Sequence, residues 1–315
     1  MSKYKFGFIG IGPVGGIMAA HLAKAGHAVT LVDIMKPHMD EIKKNGLSVI
    51  GFRELNVAFP ENNICYGIDE ISSKNIDYLF ISVKASILPQ ILPTLKSVIK
   101  KDMTFISLQN GLDNEEFIAK VFGKENTLRI VVNYAGNLVD NGVVRMSFFN
   151  APNYIGMIDP TAEKKAKELA EVISAADLET VFTPEIKKYE WEKIILNAAL
   201  SPVCALTRRT MKQMMEFDYT RKLAESILRE GIEVAAANGF DFKPDFLEFC
   251  MNYLDKAGHH RTSMHVDIEK KNPTEISFIN DKIVLYGKKK GIPTPINSTI
   301  VSLIKGSELP EYIGA

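Results

Sequence analysis

The stretch Lys5-Phe-Gly-Phe-Ile-Gly10-Ile-Gly12-Pro-Val-Gly15 decides the fold, because an apolar strand there runs into a glycine-rich turn and then a helix. Gly10 permits the tight turn, Gly12 lets a pyrophosphate approach the backbone, and Gly15 lets the helix pack closely on the strand. The unpaired N–H groups at the start of the helix then face the phosphates. We therefore predict that Gly10, Gly12, Pro13, Val14 and Gly15 bind a dinucleotide.

A second apolar strand over residues 27–32 ends on Asp33, after a helix predicted over residues 14–25 with its C-cap at Gly26. This is close to the spacing expected for the acid that binds the adenosine ribose. An aspartate at this strand end bonds the ribose 2′-hydroxyl and repels a 2′-phosphate, so it favours NADH over NADPH. Lys36 lies near enough to narrow that preference. The alternative is an ordinary strand–helix–strand unit with no ligand, which this context disfavours.

Composition limits the function only broadly. The 315 residues suffice for about two domains. Acidic and basic side chains balance at 38 each, so neither nucleic acid nor an anionic membrane surface is an expected partner. No run approaches the roughly 20 apolar residues of a membrane span. Cys65, Cys204 and Cys250 are odd in number and scattered, which argues against disulfides and a zinc cluster and favours a cytoplasmic protein.

The first half of the sequence alternates strands and helices, which is typical of a doubly wound parallel sheet. Further elements are predicted as strands over residues 78–83, 103–108 and 128–133, and as helices over residues 37–44, 87–99 and 162–175. Residues 142–149 and 154–158 are predicted to form an additional strand pair.

The character of the sequence changes near residue 184, after which nearly everything has helical periodicity. We therefore predict an α/β protein with two domains. A Rossmann domain with a doubly wound parallel sheet is expected over residues 1–184, and an all-helical domain over residues 185–315.

Two polar positions follow strands at the edge of the sheet where ligands bind. Lys84 follows the third apolar strand and is placed to neutralise a phosphate or a substrate carboxylate. The alternative is a solvated lysine that begins the next helix. Asn110 follows the next strand, although Asn-Gly is also a common turn pair.

The second domain carries the stronger chemical signal. Lys193 and Asn197 are four residues apart, hence on one helical face, and their neighbours are apolar. A buried lysine and asparagine need partners, although Lys193 also has the option of extending to the surface. Glu275 opens another apolar run, where an acid has the alternative role of stabilising a helix start. His265 is interpreted as a packing or surface histidine without a catalytic role.

These residues together resemble the ketopantoate reductase family over nearly the whole chain. The motifs that carry the resemblance are Gly10-Ile-Gly12-Pro-Val-Gly15, Val83-Lys84, Asn110-Gly111, Trp191-Glu-Lys193 with Asn197, Ser263-Met264 with Asp267, and Thr274-Glu275-Ile with Ile279-Asn280. The resemblance implies a Rossmann domain followed by a helical domain, similar to 6-phosphogluconate dehydrogenase. It implies reduction of 2-dehydropantoate to (R)-pantoate, usually with NADPH, in pantothenate and coenzyme A synthesis.

The resemblance also implies roles for individual residues. Lys193 matches the catalytic lysine and Glu275 the essential glutamate. Lys84 matches a lysine of the cofactor cleft. The positions that match substrate-binding residues are Asn110, Asn197 and Ser263. A lysinium near the former carbonyl oxygen stabilises the alkoxide and supplies its proton, so no metal is expected.

Two departures from the family keep alternatives open. Ser201 stands where the family has a second helix asparagine that binds substrate, and Asp33 stands in a segment without the family's phosphate-binding arginine. One alternative is an NAD-dependent D-2-hydroxyacid dehydrogenase for other branched or aromatic 2-keto acids. Another is a dinucleotide-sensing protein without catalysis, which the presence of Lys193 and Glu275 disfavours. A small 2-keto acid is the expected partner, and a homodimer is left open.

Overall fold

The computed structural model describes residues 4–99 and 102–309. The chain divides into two compact units. The first comprises the described residues up to Gln109 together with Asp113–Ile186. The second comprises Asn110–Leu112 together with the described residues from Lys187 onwards.

Strands occur in the first unit. In chain order they are β1 (Lys5–Ile9), β2 (Ala28–Val32), β3 (Leu47–Gly51), β4 (Leu55–Val57), β5 (Ile64–Cys65), β6 (Tyr78–Ile81), β7 (Thr104–Ser107), β8 (Thr127–Val131), β9 (Tyr134–Asp140), β10 (Val143–Phe149), β11 (Asn153–Met157) and β12 (Thr180–Phe182). Eight of these described strands form one sheet in the order β12-β11-β8-β7-β6-β1-β2-β5. From β8 to β5 all neighbours are parallel, and only the β11–β8 pair is antiparallel. The predicted doubly wound sheet is confirmed.

The predicted pairing of residues 142–149 with 154–158 is wrong. Strands do form there, as β10 and β11, but β10 joins the smaller sheet β4-β3-β10-β9 while β11 pairs with β8 and β12. The reason lies in their faces. Along β10 the buried Val144 and Met146 alternate with exposed residues, which suits a sheet covered on one face. In β11 no residue is exposed, which suits the larger sheet.

Helices surround the larger sheet and make up the second unit. In chain order they are α1 (Pro13–Lys24), α2 (Lys36–Asn45), α3 (Leu88–Val98), α4 (Asn114–Phe122), α5 (Glu163–Ala175), α6 (Ile186–Thr207), α7 (Met211–Glu216), α8 (Asp218–Ala237), α9 (Phe246–Asp255), α10 (Ser263–Glu269), α11 (Asn280–Lys290) and α12 (Pro295–Ser307). No strand occurs among the described residues from 187 onwards, as predicted. Among the residues described, no helix is both long and apolar enough to cross a membrane.

Each unit has its own apolar core. In the first, Phe8 stacks on Phe80 at the centre of the sheet, with ring centroids 4.5 Å apart. In the second, Trp191 of α6 packs against the ring of Tyr286 at 5.3 Å. All three cysteines are free and buried, and burial raises the pKa of the Cys204 thiol to about 12.

Candidate active site

The glycine-rich turn lies between β1 and α1, with Pro13 and Val14 as the first residues of the helix. Gly10 has φ +89°, a left-handed conformation that other residues rarely adopt. A Cβ at Gly15 would overlap the Ser82 hydroxyl, whereas nothing lies within 4 Å of the Cβ position at Gly12. The turn therefore leaves open space in front of Gly12 at a helix N-terminus, which fits the pyrophosphate of a dinucleotide.

Asp33 directly follows β2, and backbone groups bond both oxygens of its carboxylate. Oδ2 accepts a hydrogen bond from the Ile11 N–H at 2.7 Å, and Oδ1 accepts one from the Met35 N–H at 2.8 Å. The carboxylate therefore lies against the glycine-rich turn. Each oxygen has a second lone pair, which leaves acceptor capacity for a hydroxyl group. Lys36, the first residue of α2, is exposed.

His38 of α2 also bonds the turn, a contact that sequence reasoning missed. Its Nε2 lies 2.9 Å from the Ile11 carbonyl oxygen, and the Gly142 N–H donates to its Nδ1 at 2.9 Å. Because an amide only donates, Nδ1 is the acceptor and Nε2 carries the proton, as in neutral imidazole. Burial lowers the pKa of His38, which favours this neutral form. No sequence signal marks the contact, since both partners are backbone groups.

Two hydroxyl groups complete the support of the turn. The Ser82 Oγ donates to the Gly10 carbonyl at 2.7 Å, and the Tyr134 hydroxyl donates to the Val14 carbonyl at 2.8 Å. Burial raises the pKa of Tyr134, so its hydroxyl keeps the proton that it donates. Ser82 directly follows β6, and this strand-end position was the one available signal for it. Tyr134 offers no comparable signal.

Lys84 lies at the same sheet edge as Asp33, because β1, β2 and β6 are parallel neighbours. It is half-buried and directly precedes a single 3-10 turn over Ala85–Ile87. The alternative interpretation placed Lys84 at the start of the next helix. Lys84 does precede the 3-10 turn, but the α-helix itself, α3, begins only at Leu88.

A buried charged network holds the end of β7. Arg129 on β8 donates from Nη2 to the Gln109 carbonyl at 2.5 Å, and its Nε lies 3.8 Å from Glu115 on α4. Gln109 in turn donates from Nε2 to the Ile81 carbonyl at 2.9 Å. The side chains of Arg129 and Glu115 are 3% and 0% exposed, so water does not screen the pair. The network fixes the peptide that leads into Asn110.

Asn110 is half-buried and belongs to the second unit together with Gly111 and Leu112. Gly111 has φ +102°, and a Cβ there would overlap the backbone of Phe278. The Leu112 N–H donates to the Phe278 carbonyl at 3.2 Å. Glu275 is half-buried and precedes the 3-10 turn that contains Phe278, so the segments carrying Asn110 and Glu275 lie side by side.

Helix α6 presents Lys193, Asn197 and Ser201 at successive turns. Lys193 and Asn197 are half-buried, and Ser201 is buried. The Thr262 hydroxyl, which caps α10, donates to the Ser201 carbonyl at 3.3 Å. The bond brings the exposed Ser263, the first residue of α10, beside this part of α6.

Pro202 creates a second link from α6. Because proline has no N–H, the Ala198 carbonyl one turn earlier loses its helical donor. The Asn280 side chain donates to that carbonyl at 3.2 Å and to Asn297 Oδ1 at 3.0 Å. Asn280 begins α11, five residues after Glu275, so this bond ties the Glu275 segment to α6 beside Asn197.

Buried Glu230 anchors the same network from α8 and was not anticipated from sequence. Its carboxylate accepts hydrogen bonds from the Ile296 and Asn297 N–H groups, both at 2.9 Å, and from the Asn297 side chain at 2.7 Å. These donors lie at the N-terminus of α12, where an acid is favoured.

His265 is buried on α10, and its Nε2 lies 3.2 Å from Glu269 Oε1 on the next turn of the same helix. Among the described residues, no group of three or more His, Cys, Asp or Glu side chains is arranged to hold a metal ion.

Comparisons with known proteins cover both units. The family model described as ketopantoate reductase PanE/ApbA matches residues 6–160, and the model of its C-terminal part matches residues 185–308. The 2-dehydropantoate 2-reductase of Pyrococcus abyssi is 29% identical over 308 residues, which cover 98% of this chain and 99% of that protein. The same-named protein of Archaeoglobus fulgidus is 30% identical, over 95% of this chain and 96% of its own.

Among solved structures, D-mandelate dehydrogenase in complex with NADH and anilino(oxo)acetate superimposes with a TM-score of 0.88. It is 26% identical in sequence, and the match covers 96% of this chain and 98% of that one.

Proposed function

This chain belongs to the ketopantoate reductase family and is a 2-dehydropantoate 2-reductase-like oxidoreductase, and we propose that it prefers NADH as its reductant. The proposed reaction reduces the C2 keto group of a 2-keto acid to the (R)-2-hydroxy acid. The proposed substrate is 2-dehydropantoate, the compound named for the relatives from Pyrococcus abyssi and Archaeoglobus fulgidus.

The observation that carries the cofactor proposal is the position of Asp33. Its Oδ2 accepts a hydrogen bond of 2.7 Å from the Ile11 N–H of the glycine-rich turn, which supports a role for the carboxylate in binding the adenosine ribose. A 2′-phosphate at that place meets a negative charge. Gly12 and Gly15 would receive the pyrophosphate, and Lys84 would neutralise part of its charge. A bound nicotinamide cofactor supplies the hydride that adds to C2 of the substrate.

Lys193 is the proposed proton donor. Hydride addition to C2 places negative charge on the former carbonyl oxygen, and the Lys193 ammonium stabilises that charge. The ammonium then transfers a proton to the oxygen, which completes the hydroxyl group, and water returns a proton to the amine. Glu275 would hold Lys193 or a substrate hydroxyl in place.

The substrate carboxylate and hydroxyl groups would be bound by polar side chains of the second unit. Support for this comes from two links, one between Thr262 and Ser201 and one between Asn280 and Ala198, which connect the elements involved. The proposed binding residues are Asn110, Asn197, Ser201 and Ser263. Because Ser201 is shorter than the family's asparagine, one substrate hydrogen bond would run through water.

A second candidate activity is reduction of branched or aromatic 2-keto acids by a D-2-hydroxyacid dehydrogenase. Asp33 and Ser201 favour it, because both depart from the family pattern for NADPH and pantoate. The similarity to D-mandelate dehydrogenase, solved with NADH and anilino(oxo)acetate, supports the same reading.

A substrate panel tests both activities. The purified protein is supplied with NADH or NADPH and with 2-dehydropantoate, a branched 2-keto acid or an aromatic one, while oxidation of the cofactor is followed by absorbance. We expect turnover of 2-dehydropantoate, with kcat/KM about tenfold to a hundredfold higher with NADH. Faster turnover of the aromatic acid would establish the second activity instead. Turnover of none of them would refute both.

We also propose a cytoplasmic homodimer. The three buried, free cysteines suit a reducing compartment. The exposed aromatic rings of Phe217 and Tyr219 at the start of α8 offer an apolar surface for self-association. Light scattering of the purified protein measures the mass, and a monomer at micromolar concentration would contradict the dimer.

A further inference from the structure

We propose that His38 is a positioning residue of the cofactor site, which holds the glycine-rich turn in its pyrophosphate-binding form by bonding Ile11 on one side and Gly142 on the other. The inference rests on the proposed dinucleotide binding and goes beyond it. It assigns a role to a residue of α2 that lies outside the family motifs, and it predicts a pH dependence of cofactor affinity.

The two polar groups of the Ile11 backbone are both held by side chains that follow β2. Asp33 accepts from its N–H at 2.7 Å, and His38 contacts its carbonyl at 2.9 Å. Ile11 lies between Gly10 and Gly12, so its orientation sets the course of the turn that faces the phosphates. Because Asp33 is also the proposed ribose ligand, the proposed contacts with the ribose and with the pyrophosphate both depend on residues 33–38.

The other side of the imidazole is anchored to the smaller sheet. Gly142 lies in the turn between β9 and β10, and its N–H donates to His38 Nδ1 at 2.9 Å. A Cβ at Gly142 would lie 2.8 Å from the Glu41 side chain, so α2 and this turn are closely packed. The ring is 1% exposed. The ring is therefore enclosed by closely packed neighbours, which restricts its freedom to follow a shift of Ile11.

Both bonds together require the neutral ring. A protonated imidazole would present an N–H group to the Gly142 N–H, and that hydrogen bond would be lost. The charged groups on the surrounding elements are Asp33 before α2, the half-buried Glu41 on α2, the exposed Asp140 at the end of β9, and four exposed residues of α2, namely Lys36, Asp40, Lys43 and Lys44. Burial lowers the pKa of His38 below the ordinary 6.5 and outweighs the hydrogen bond to the Ile11 carbonyl and the charge of Asp33, which both raise it.

The sign of the effect follows from this lowered pKa. Above the ordinary pKa of 6.5 the ring is neutral and makes both bonds, to Ile11 and to Gly142. As the pH falls through the lowered pKa of the folded protein, the ring takes up a proton and loses the bond to Gly142. Cofactor affinity should therefore weaken in acid, and a neutral substitute at position 38 should make the affinity independent of pH in this range.

ADP-ribose is the probe that tests this, because it fills the adenosine and pyrophosphate positions and takes no part in hydride transfer. Its Kd is measured by calorimetry between about pH 8 and about pH 5.5. The unaltered protein, His38→Asn and His38→Gln are compared. The Asn amide reaches the position of Nδ1 only, whereas the Gln amide reaches that of Nε2 and can still donate to Ile11.

We expect His38→Asn to raise the Kd about fivefold to tenfold at neutral pH, the scale of one hydrogen bond that orders a ligand-binding turn. His38→Gln keeps the bond to Ile11 and loses the one to Gly142, so its Kd at neutral pH should already equal that of the unaltered protein in acid and should not rise further as the pH falls. The matched control is His21→Gln. His21 is also buried, bonds the Ala176 carbonyl at 2.8 Å and has a pKa lowered by burial, but it lies near the opposite end of α1.

A Kd for His38→Asn equal to that of His21→Gln would overturn the proposal, since His38 would then act only on stability. A Kd of the unaltered protein that stays constant while the His38 ring takes up its proton, followed by NMR of the imidazole as the pH falls, would overturn it as well, whether or not the variants fold. If the unaltered protein binds no ADP-ribose at neutral pH, the proposed function fails, and this inference fails with it.

Discussion

The glycine-rich turn of the first unit and helix α6 of the second present their chemical groups in opposite ways. In the turn the candidate pyrophosphate ligands are backbone groups, and the side chains of His38, Ser82 and Tyr134 bond the carbonyl groups of that backbone. On α6 the candidate groups are the side chains themselves, at three successive turns of one helix. There the supporting bonds run to carbonyl groups on the backbone of α6.

Substitutions should therefore act differently in the two regions. A side chain that supports the turn shapes a binding surface, so its loss should weaken cofactor affinity or stability and leave the chemical step nearly intact. A candidate side chain on α6 would act on the substrate under the proposed function, so its loss should slow turnover and leave cofactor affinity and folding nearly intact. Five variants, in order of decreasing effect, test this division.

Arg129→Met should have the largest effect, on stability. The substitution leaves Glu115 buried without its cation, which should lower the free energy of unfolding by about 3–5 kcal/mol. Denaturant titration measures the loss. Adding Glu115→Leu should recover most of it, because both buried charges are then gone. The control is Arg145→Met at an exposed position of β10. A loss of stability no larger than that of the control would mean that the buried ion pair does not contribute to the free energy of unfolding.

Lys193→Ala should lower kcat about a hundredfold or more, the scale of losing an acid or an oxyanion donor. The Kd for NADH and the melting temperature should change little. Lys188→Ala, which removes another half-buried lysine of α6, serves as the control and should keep normal turnover. Near-normal kcat in Lys193→Ala would exclude it as the proton donor and place the chemistry elsewhere.

Glu275→Gln should lower kcat or substrate affinity about tenfold or more while the melting temperature is nearly kept. The amide retains the shape of the side chain and removes its charge. Glu308→Gln is an informative control, because Glu308 accepts from the Thr274 N–H at 2.7 Å and steadies the same segment. If both variants lose only stability, by about 1 kcal/mol, then Glu275 is a local structural acid.

Asp33→Asn should change the choice of cofactor. Removal of the negative charge should reduce the preference for NADH about tenfold, by weakening the ribose bond and relieving the repulsion of a 2′-phosphate. The ratio of kcat/KM with NADH and NADPH measures this. Asp40→Asn on α2 makes the same change of charge a short distance away. An identical shift in both variants would show that the general field, rather than Asp33, sets the preference.

Tyr134→Phe should have the smallest effect. Loss of the hydrogen bond to the Val14 carbonyl should lower stability by about 1 kcal/mol and raise the Kd for NADH about threefold, with kcat unchanged. Tyr66→Phe removes a hydroxyl that bonds Asp40 at the exposed surface and should do neither. A fall in kcat for Tyr134→Phe would contradict the division between the two regions.

The strands and helices that could be predicted from sequence are those that depend on interactions between neighbouring residues. The run from Lys5 to Gly15 and the alternation after it predict the parallel sheet, because apolar strands and turn glycines follow from neighbouring residues. The pairing of β10 with β9 and β3 could not be predicted from sequence. Strand partners depend on whether one face or both faces of a sheet are buried, and that is set by residues distant in the chain. Strands β3, β4, β5, β9 and β12 were missed for a different reason, because their patterns are short or half-exposed and therefore weak.

The site divides in a similar way. Candidate catalytic side chains such as Lys193 and Glu275 were predicted from sequence, because a charged residue in an apolar helix or at the start of an apolar run stands out. Supporting residues such as His38 and Tyr134 were not predicted. Each bonds a backbone group that is distant in sequence, and backbone groups are the same in every residue, so no sequence pattern marks the contact. The Asn280 bond to Ala198 belongs with these, although Pro202 marks in advance which carbonyl needs a donor.

The tripeptide Asn110–Leu112 has a consequence for exchanging parts between relatives. It leaves the first unit, contributes Leu112 to the core of the second, and fits Gly111 against Phe278. A hybrid gene joined at residue 186 would pair a foreign helical half with the tripeptide of its host. Successful recombinants should therefore inherit three codons from the early part of the gene together with the late part, as a single heritable block.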